Sequence, residues 1–532
     1  MLPVSASALS GFDLCVVAAY LAAIVGCGLW AGRGERSAAD YFLAGRALPW
    51  WLIGLSLYAS NMSGASFVGL VGASYEHGMA VFTYEWTATL VLVVFAFVML
   101  PAFLRARIYT LPEYLERRFD RRSRELYGAL TVITVMFVDT AGALFAGGVV
   151  VSAVVPGIGL WQAAWGLAAL AGIYTVFGGL RSVVVTDAVQ AVLMIAGAAV
   201  VCVAGLGAVG GWDGLTDRLE PGFARLFRPA DDAFLPWTGI GGVIILGLYY
   251  WTLNQYFAQR ALAARSLADG QKGALFGGLL KLPNLFLMVV PGMVALALFP
   301  ALERPDDAFP RLVAELLPAG LRGLVLTALL AAIMSSLDSA LNAVASIVTM
   351  DFLRPRRPDL DDRRLLRVGR LVTLACTVVA ALWAPVIAGF GSLFAYFQST
   401  LAYLVPPVVA VFLAGLLWRR ANARGGFAGL ACGLALGIGL FAAKEATGLW
   451  SAGGLPDIHF TVMALLIALA AAAIAVVASL TAPPPDAAHV AETTFRRADL
   501  AAPAPRPRAL RDSRLQAAAL LALTAAMIAV LW

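Results

Sequence analysis

Charge is scarce in this chain. Of its 532 residues only 13% are Asp, Glu, Lys or Arg, where a soluble domain carries about 25%. Hydrophobic residues make up 61%, and the mean hydropathy is +0.84. Such a chain cannot cover a water-facing surface, which excludes an ordinary cytosolic enzyme and points to an all-α polytopic membrane protein. Histidine is nearly absent: His77, His459 and His489 lie far apart and form no HExxH pattern, so metalloprotease chemistry is excluded. The five cysteines, Cys15, Cys27, Cys202, Cys376 and Cys432, lie in apolar stretches with no CxxC pair; they are expected to be buried free thiols rather than zinc ligands. None of the three lysines, Lys272, Lys281 and Lys444, follows a glycine, so there is no Walker A loop and no ATP-driven pump of that class. With neither a nucleophile nor a metal constellation, no enzyme is expected.

What remains is long apolar runs. About 20 apolar residues cross a hydrocarbon core of roughly 30 Å. Runs fall at about 10–31, 48–75, 80–104, 126–153, 159–177, 183–209, 236–260, 273–300, 321–352, 365–386, 389–418, 425–446, 457–481 and 515–532, which predicts 14 crossings. No basic residue precedes the first run, and the first positive charge is Arg33, so that run is expected to be a helix rather than a cleaved signal peptide. Sorting Lys and Arg into alternate loops places 31 of the 38 on one side, the group Arg260 to Lys281 counted among them. The positive-inside rule then predicts an inner-membrane protein with both termini outside. The net charge of +6 reflects this orientation; no basic face is interleaved with stacking aromatics, so no nucleic-acid partner is expected. The Pro- and Ala-rich stretch Pro483–Pro507 reads as a cytoplasmic linker.

Polar groups inside hydrocarbon are costly, so function is sought where they interrupt apolar helices. The second run contains Ser56, Ser60, Asn61, Ser63, Gly64 and Ser66. A discontinuous helix there would free carbonyls for a cation, whereas small-residue helix packing would use the same residues. Ser335, Ser339, Asn342 and Ser346 recur at steps of four, three and four, with Asp338 on the same face. This stripe offers the oxygen ligands hard cations prefer, or else a structural polar seam. Glu85, Asp139, Asp187 and Lys281 are single ionisable residues in or at the ends of apolar runs; each suits solute contact or mutual pairing. Tyr249, Tyr250, Trp251, Asn254 and Gln255 place aromatic faces beside amides, suited to a sugar or a gate, or to an interfacial belt.

In order along the chain, YFLAGR (Tyr41–Arg46), the Trp50–Trp86 block, YTLPEYLERRF (Tyr109–Phe119) and GGLRSVVVTDAVQ (Gly178–Gln190) resemble the sodium/solute symporters, most closely their sodium/glucose branch. LYYWTLNQYFAQRALAA (Leu248–Ala264), SSLDSALNA (Ser335–Ala343), TMDF (Thr349–Phe352) and YFQSTLAYLVPP (Tyr396–Pro407) continue the resemblance nearly end to end. It implies a five-plus-five inverted repeat of LeuT-like type. On that reading, 1–47 holds the first helix and an inner loop, 48–210 the first repeat and 211–235 an outer loop. The second repeat is 236–420, followed by two accessory helices (421–482), the linker (483–513) and a last helix (514–532).

The resemblance further implies sodium symport of a small polar solute, a hexose such as glucose or galactose, with no organic cofactor. Inositol, another polyol or an organic acid is the alternative, although Glu85 argues against a simple carboxylate; a sensory module is expected least. Carried over residue by residue, the sodium ligands are the carbonyls of Ala59, Met62 and Ala332 and the hydroxyls of Ser335 and Ser336. The substrate positions are Ser66, Glu85, Asp139, Gly247, Lys281 and Gln398. Leu70, Tyr84 and Phe394 are the outer lid, with Tyr250 and Trp251 at the inner gate. Two positions depart from the family pattern: Ser66 replaces a longer Gln or His, and Gly247 replaces a polar side chain. Two substrate hydrogen bonds are therefore expected to be lost or bridged by water. Asp338 stands where relatives often carry a neutral residue, and with Asp187 and Ser339 it forms a candidate second cation site.

Overall fold

The computed structural model describes residues 10–33, 37–64, 66–155, 157–175, 179–389, 393–447, 449–454, 456–500 and 512–531. Helices dominate, and no strand is formed among the described residues. α1 (Gly11–Ala31) opens on a capping box in which Ser10 accepts from the Asp13 amide and Asp13 accepts from the Ser10 amide. α2 (Trp50–Asn61), α3 (Val71–His77) and α4 (Thr83–Val94) follow, with a reversal at Gly78, whose φ of +67° suits glycine. Next come α5 (Leu111–Arg118), α6 (Arg121–Ser152), α7 (Leu160–Thr175) and α8 (Leu180–Val209).

The second half runs through α9 (Trp237–Leu253), α10 (Gln255–Leu262), α11 (Leu267–Leu298), α12 (Leu321–Leu353) and α13 (Asp362–Gly389). α14 (Tyr396–Leu404) meets α15 (Pro406–Leu417) at a 47° bend, where Pro406 and Pro407 cannot supply amides to a continuous helix. α16 (Ala423–Glu445), α17 (Phe460–Leu480), α18 (Ala487–Thr493) and α19 (Ser513–Val530) complete the order.

Each of the 14 expected crossings has a helical counterpart, but only ten described helices are long and apolar enough to cross by themselves, or 11 with the bent pair. The remainder are broken or short, as at α2, α7 and α9. α12 sits at the centre and is buried along almost its whole length. α2 and α11 approach closely because Gly54 and Gly273 face each other's helix; a Cβ on Gly273 would lie 2.6 Å from Ile53.

Two expectations are corrected, and the linker stretch gains contacts. Cys15 and Cys432 are exposed on the bundle's outer face rather than buried. Arg260 and Lys281, counted as loop charges, are 1% and 0% exposed inside the bundle, although the remaining asymmetry is little changed by removing them. The described part of the 483–513 stretch docks on the bundle: Tyr114 donates to the Thr493 carbonyl at 2.8 Å, and Arg105 reaches Asp499 at 2.9 Å and the Thr494 carbonyl at 2.7 Å. Residues 501–511 of that stretch lie outside the described residues.

Candidate functional site

α2 stops at Asn61 because the chain leaves the helical region at Met62, where ψ is 75°. The Ser63 amide turns to the Asn61 carbonyl at 2.8 Å, so the Ala59 carbonyl loses the donor a continuous helix would supply. Ser66 donates its hydroxyl to the same Asn61 carbonyl at 3.0 Å. Gly64 threads between neighbours so closely that a Cβ there would meet Ala146 and Ile333 at 3.0 Å. The chain resumes as a π-helical turn over Ser66–Leu70, and a second such turn, Tyr249–Leu253, ends α9 before Asn254. Wide turns of this kind turn backbone groups out of the helix ladder.

A cavity lies between these two breaks. Ser66, Glu85, Gly247 and Gln398 line it together with all five gate candidates, Leu70, Tyr84, Tyr250, Trp251 and Phe394. Asn61 and Ser63 add polar groups. At one end the rings of Tyr84 and Phe394 meet edge to face at 5.1 Å, and Phe234 stands 5.9 Å from Phe394. At the other, Tyr250 packs on Phe257 at 4.9 Å and edge-on to Trp251 at 6.0 Å.

Lys281 does not line the cavity; it lies beneath it. Its ammonium pairs with Glu85, donates to Asn61 Oδ1 and stands 5.2 Å over the Trp251 ring. Asn284 donates to Glu85 at 2.5 Å and accepts from Tyr58 at 3.1 Å. Glu85 is thus fixed from two sides. Asp139 also lies off the cavity and accepts from Tyr256 at 3.3 Å, beyond the Tyr250 ring.

The sodium candidates converge on α2 and α12. Ser336 donates to the Ser60 carbonyl at 3.4 Å, next to Ala59, and Ser60 meets Ser339 at 3.1 Å. Ser335 donates to Asp187 at 2.6 Å, which leaves its oxygen lone pairs available to a cation. Ala59, Met62 and Ala332 are all buried on these elements. Two backbone carbonyls at a helix break, a third on α12 and two hydroxyls suit a hard monovalent cation.

Ser60 links Asp187, at 3.3 Å, to Ser339, at 3.1 Å, and Ser339 lies 3.4 Å from its neighbour Asp338. Arg260 enters the same place: its guanidinium holds Asp187 at 2.9 Å and Ser56 at 2.6 Å, and it donates to Ser339. Among the described residues no group of three or more His, Cys, Asp or Glu could hold a metal ion.

Sequence reasoning missed four residues at this site. Asn284 lies one turn after Lys281 on α11, a spacing that could have revealed it. Tyr58 and Arg260 needed the packing. Phe234 sits in the loop before α9 with no periodic signal.

Comparison with known proteins follows the same lines. Residues 41–433 match the model of the Sodium:solute symporter family. A sodium/glucose cotransporter of Vibrio parahaemolyticus is 35% identical over 455 residues, 79% of this chain and 83% of that protein. The sodium/myo-inositol cotransporter 2 of Rattus norvegicus is 38% identical over 470 residues, 80% and 69% of the two chains. Among solved structures, a Na+-coupled sialic acid symporter in an outward-open state superposes with a TM-score of 0.77 at 22% identity, covering 90% of this chain and 99% of that one. A nucleobase-cation-symport-1 family transporter gives a TM-score of 0.57 at 14% identity, covering 86% and 99%. The fold is therefore the LeuT-like transporter fold.

Proposed function

The chain belongs to the sodium:solute symporter family, and from that membership we propose that it imports a hexose such as glucose or galactose with sodium by alternating access. Sodium-coupled solute symport follows from the family; the hexose rests on the cavity. The observation that carries it is the cavity between two helix breaks, where Ser66, Glu85 and Gln398 present polar groups between aromatic walls. Polyhydroxylated rings suit such a site, since hydroxyls bond to carboxylate and amide while the CH faces stack on Tyr250, Trp251 and Tyr84. The Glu85–Lys281 pair is neutral as a unit, which fits an uncharged solute better than an organic acid.

In this reading sodium binds to the carbonyls of Ala59, Met62 and Ala332 and the hydroxyls of Ser335 and Ser336. Binding there ties the end of α2 to α12. Because the same break at Asn61 borders the cavity, the ion favours the conformation in which the solute site is complete, the differential affinity coupling requires. Leu70, Tyr84 and Phe394 close one side and Tyr250 with Trp251 the other. One charge crossing 100 mV contributes about 2.3 kcal/mol and a tenfold sodium gradient about 1.4 kcal/mol, together enough for roughly 500-fold accumulation. The site lies in the plasma (inner) membrane, with both termini outside.

A second reading, inositol as solute, is favoured by the myo-inositol cotransporters among the relatives and by Gly247, which leaves room where a side chain would stand. Uptake of labelled glucose, galactose and myo-inositol into proteoliposomes under a sodium gradient, against potassium, distinguishes them. The hexose reading expects sodium-dependent hexose uptake that Ser335→Ala lowers at least about tenfold at limiting sodium, the loss of one cation ligand. Uptake of myo-inositol alone would replace hexose by inositol, and no sodium dependence for any solute would overturn the site.

A further inference from the structure

A groove runs along the outside of the bundle between α7 and α13, away from the transport cavity. Trp165, Ala168, Ala169 and Gly172 form one wall, and Leu371, Leu374, Thr377 and Val378 form the other. Both sets recur at helical spacing. The helices close at its floor, where a Cβ on Gly172 would lie 3.7 Å from the Thr377 methyl. Thr377 spends its hydroxyl on the Thr373 carbonyl at 2.8 Å, so it turns only carbon to the groove. Leu371 and Leu374 are 65% and 53% exposed; on a helix long and apolar enough to cross a membrane, that exposure is to lipid.

The apolar floor ends at Arg367 and Arg370. They stand one turn apart near the start of α13, at the end of the arginine-rich stretch 354–370. Arg367 enters no ion pair or hydrogen bond among the described residues. Asp361, one of the carboxylates at the start of this helix, caps the Arg364 amide at 2.9 Å. From Arg367 to Val378 the helix rises about 16 Å, close to the depth of one leaflet of a roughly 30 Å core.

We propose that this groove holds one anionic phospholipid of the leaflet on the arginine-rich side, its phosphate on Arg367 and Arg370 and one acyl chain along the α7 wall. Guanidinium groups match phosphate oxygens in a fork, and an added negative headgroup charge sets this lipid apart from a zwitterionic one. A long apolar trough ending in two cations is complementary to that molecule and to no small polar solute. Neither arginine lines the transport cavity.

The full chain in detergent, offered equal amounts of phosphatidylglycerol and phosphatidylcholine, is read by native mass spectrometry. The expected preference for phosphatidylglycerol is about fivefold for each arginine, roughly 25-fold for the pair. R367Q/R370Q should lose that preference, and Ala169→Trp should displace the chain and lower retention of both lipids while thermal unfolding stays cooperative. Equal retention of the two lipids by the wild type would overturn the proposal. So would an undiminished preference in the arginine variant, or displacement of the lipid by glycerol 3-phosphate at equal concentration, which would mean a headgroup site without a chain.

Discussion

Removing the ammonium of Lys281 strands the Glu85 carboxylate in the bundle interior, where Glu85 is 5% exposed. Breaking a buried pair from one side costs about 3–5 kcal/mol, whereas removing both charges is far milder. Lys281→Met is therefore expected to lower thermal stability sharply in detergent, and Glu85→Gln/Lys281→Met to restore most of it without restoring uptake. Equal stability of the single and double variants would show that the pair carries no such load. Both residues are legible in the sequence as lone ionisable groups in apolar runs. Arg260 is not, because a basic residue after an apolar run reads as a loop charge; only the break at Asn254 lets α10 carry it back to Asp187. Asp139, also legible as a lone ionisable group, accepts from Tyr256 beyond the Tyr250 ring.

Among elements, the segment between α11 and α12 joins the proposed lid. Asp306 accepts from the Leu393 amide at 3.2 Å at the start of the segment that carries Phe394. Burial pushes its pKa up to about 6, with Arg304 pulling in the other direction. The folded chain therefore holds a proton that the unfolded chain, with a pKa near 3.9, has released. Stability falls as pH rises from about 4 to 6 and stays lowered above that window. Asp306→Asn should raise unfolding stability by about 2 kcal/mol at pH 7.5 and change it little at pH 4; a gain equal at both pH values would contradict this.

The strap over α5 gives another test. Arg105→Ala removes bonds to Asp499 and to the carbonyls of Thr494 and Glu492. Proteolysis within 487–500 should then rise roughly tenfold, as a loss of about 1.4 kcal/mol in local stability implies. An unchanged cleavage rate would mean that Tyr114 and backbone contacts hold the strap alone. The first helix break is legible from the Ser and Gly cluster around Asn61. The second, at Asn254, has no Gly or Pro to mark it, which is why 236–260 reads as one crossing. The docking of α18 is invisible to composition, since Pro- and Ala-rich sequence reads as linker whether or not its carbonyls find partners.

For the whole molecule, apolar run length finds the long apolar helices, misses the polar helices α5 and α18, and overstates how many stretches are continuous spans. Hydropathy does not sense a backbone that bends to build a site. The pairing of sodium with the solute is a property of the entire bundle, because α2, α8 and α12 meet at the ion candidates while α4, α9 and α14 line the cavity. The most direct test reverses the direction of coupling. Proteoliposomes with equal sodium on both sides and no membrane potential are given an inward glucose gradient, and uptake of labelled sodium is followed. The account predicts sodium accumulation driven by the sugar, abolished in Ser335→Ala. Sugar entry at full rate with no net sodium movement would contradict coupled symport through this site.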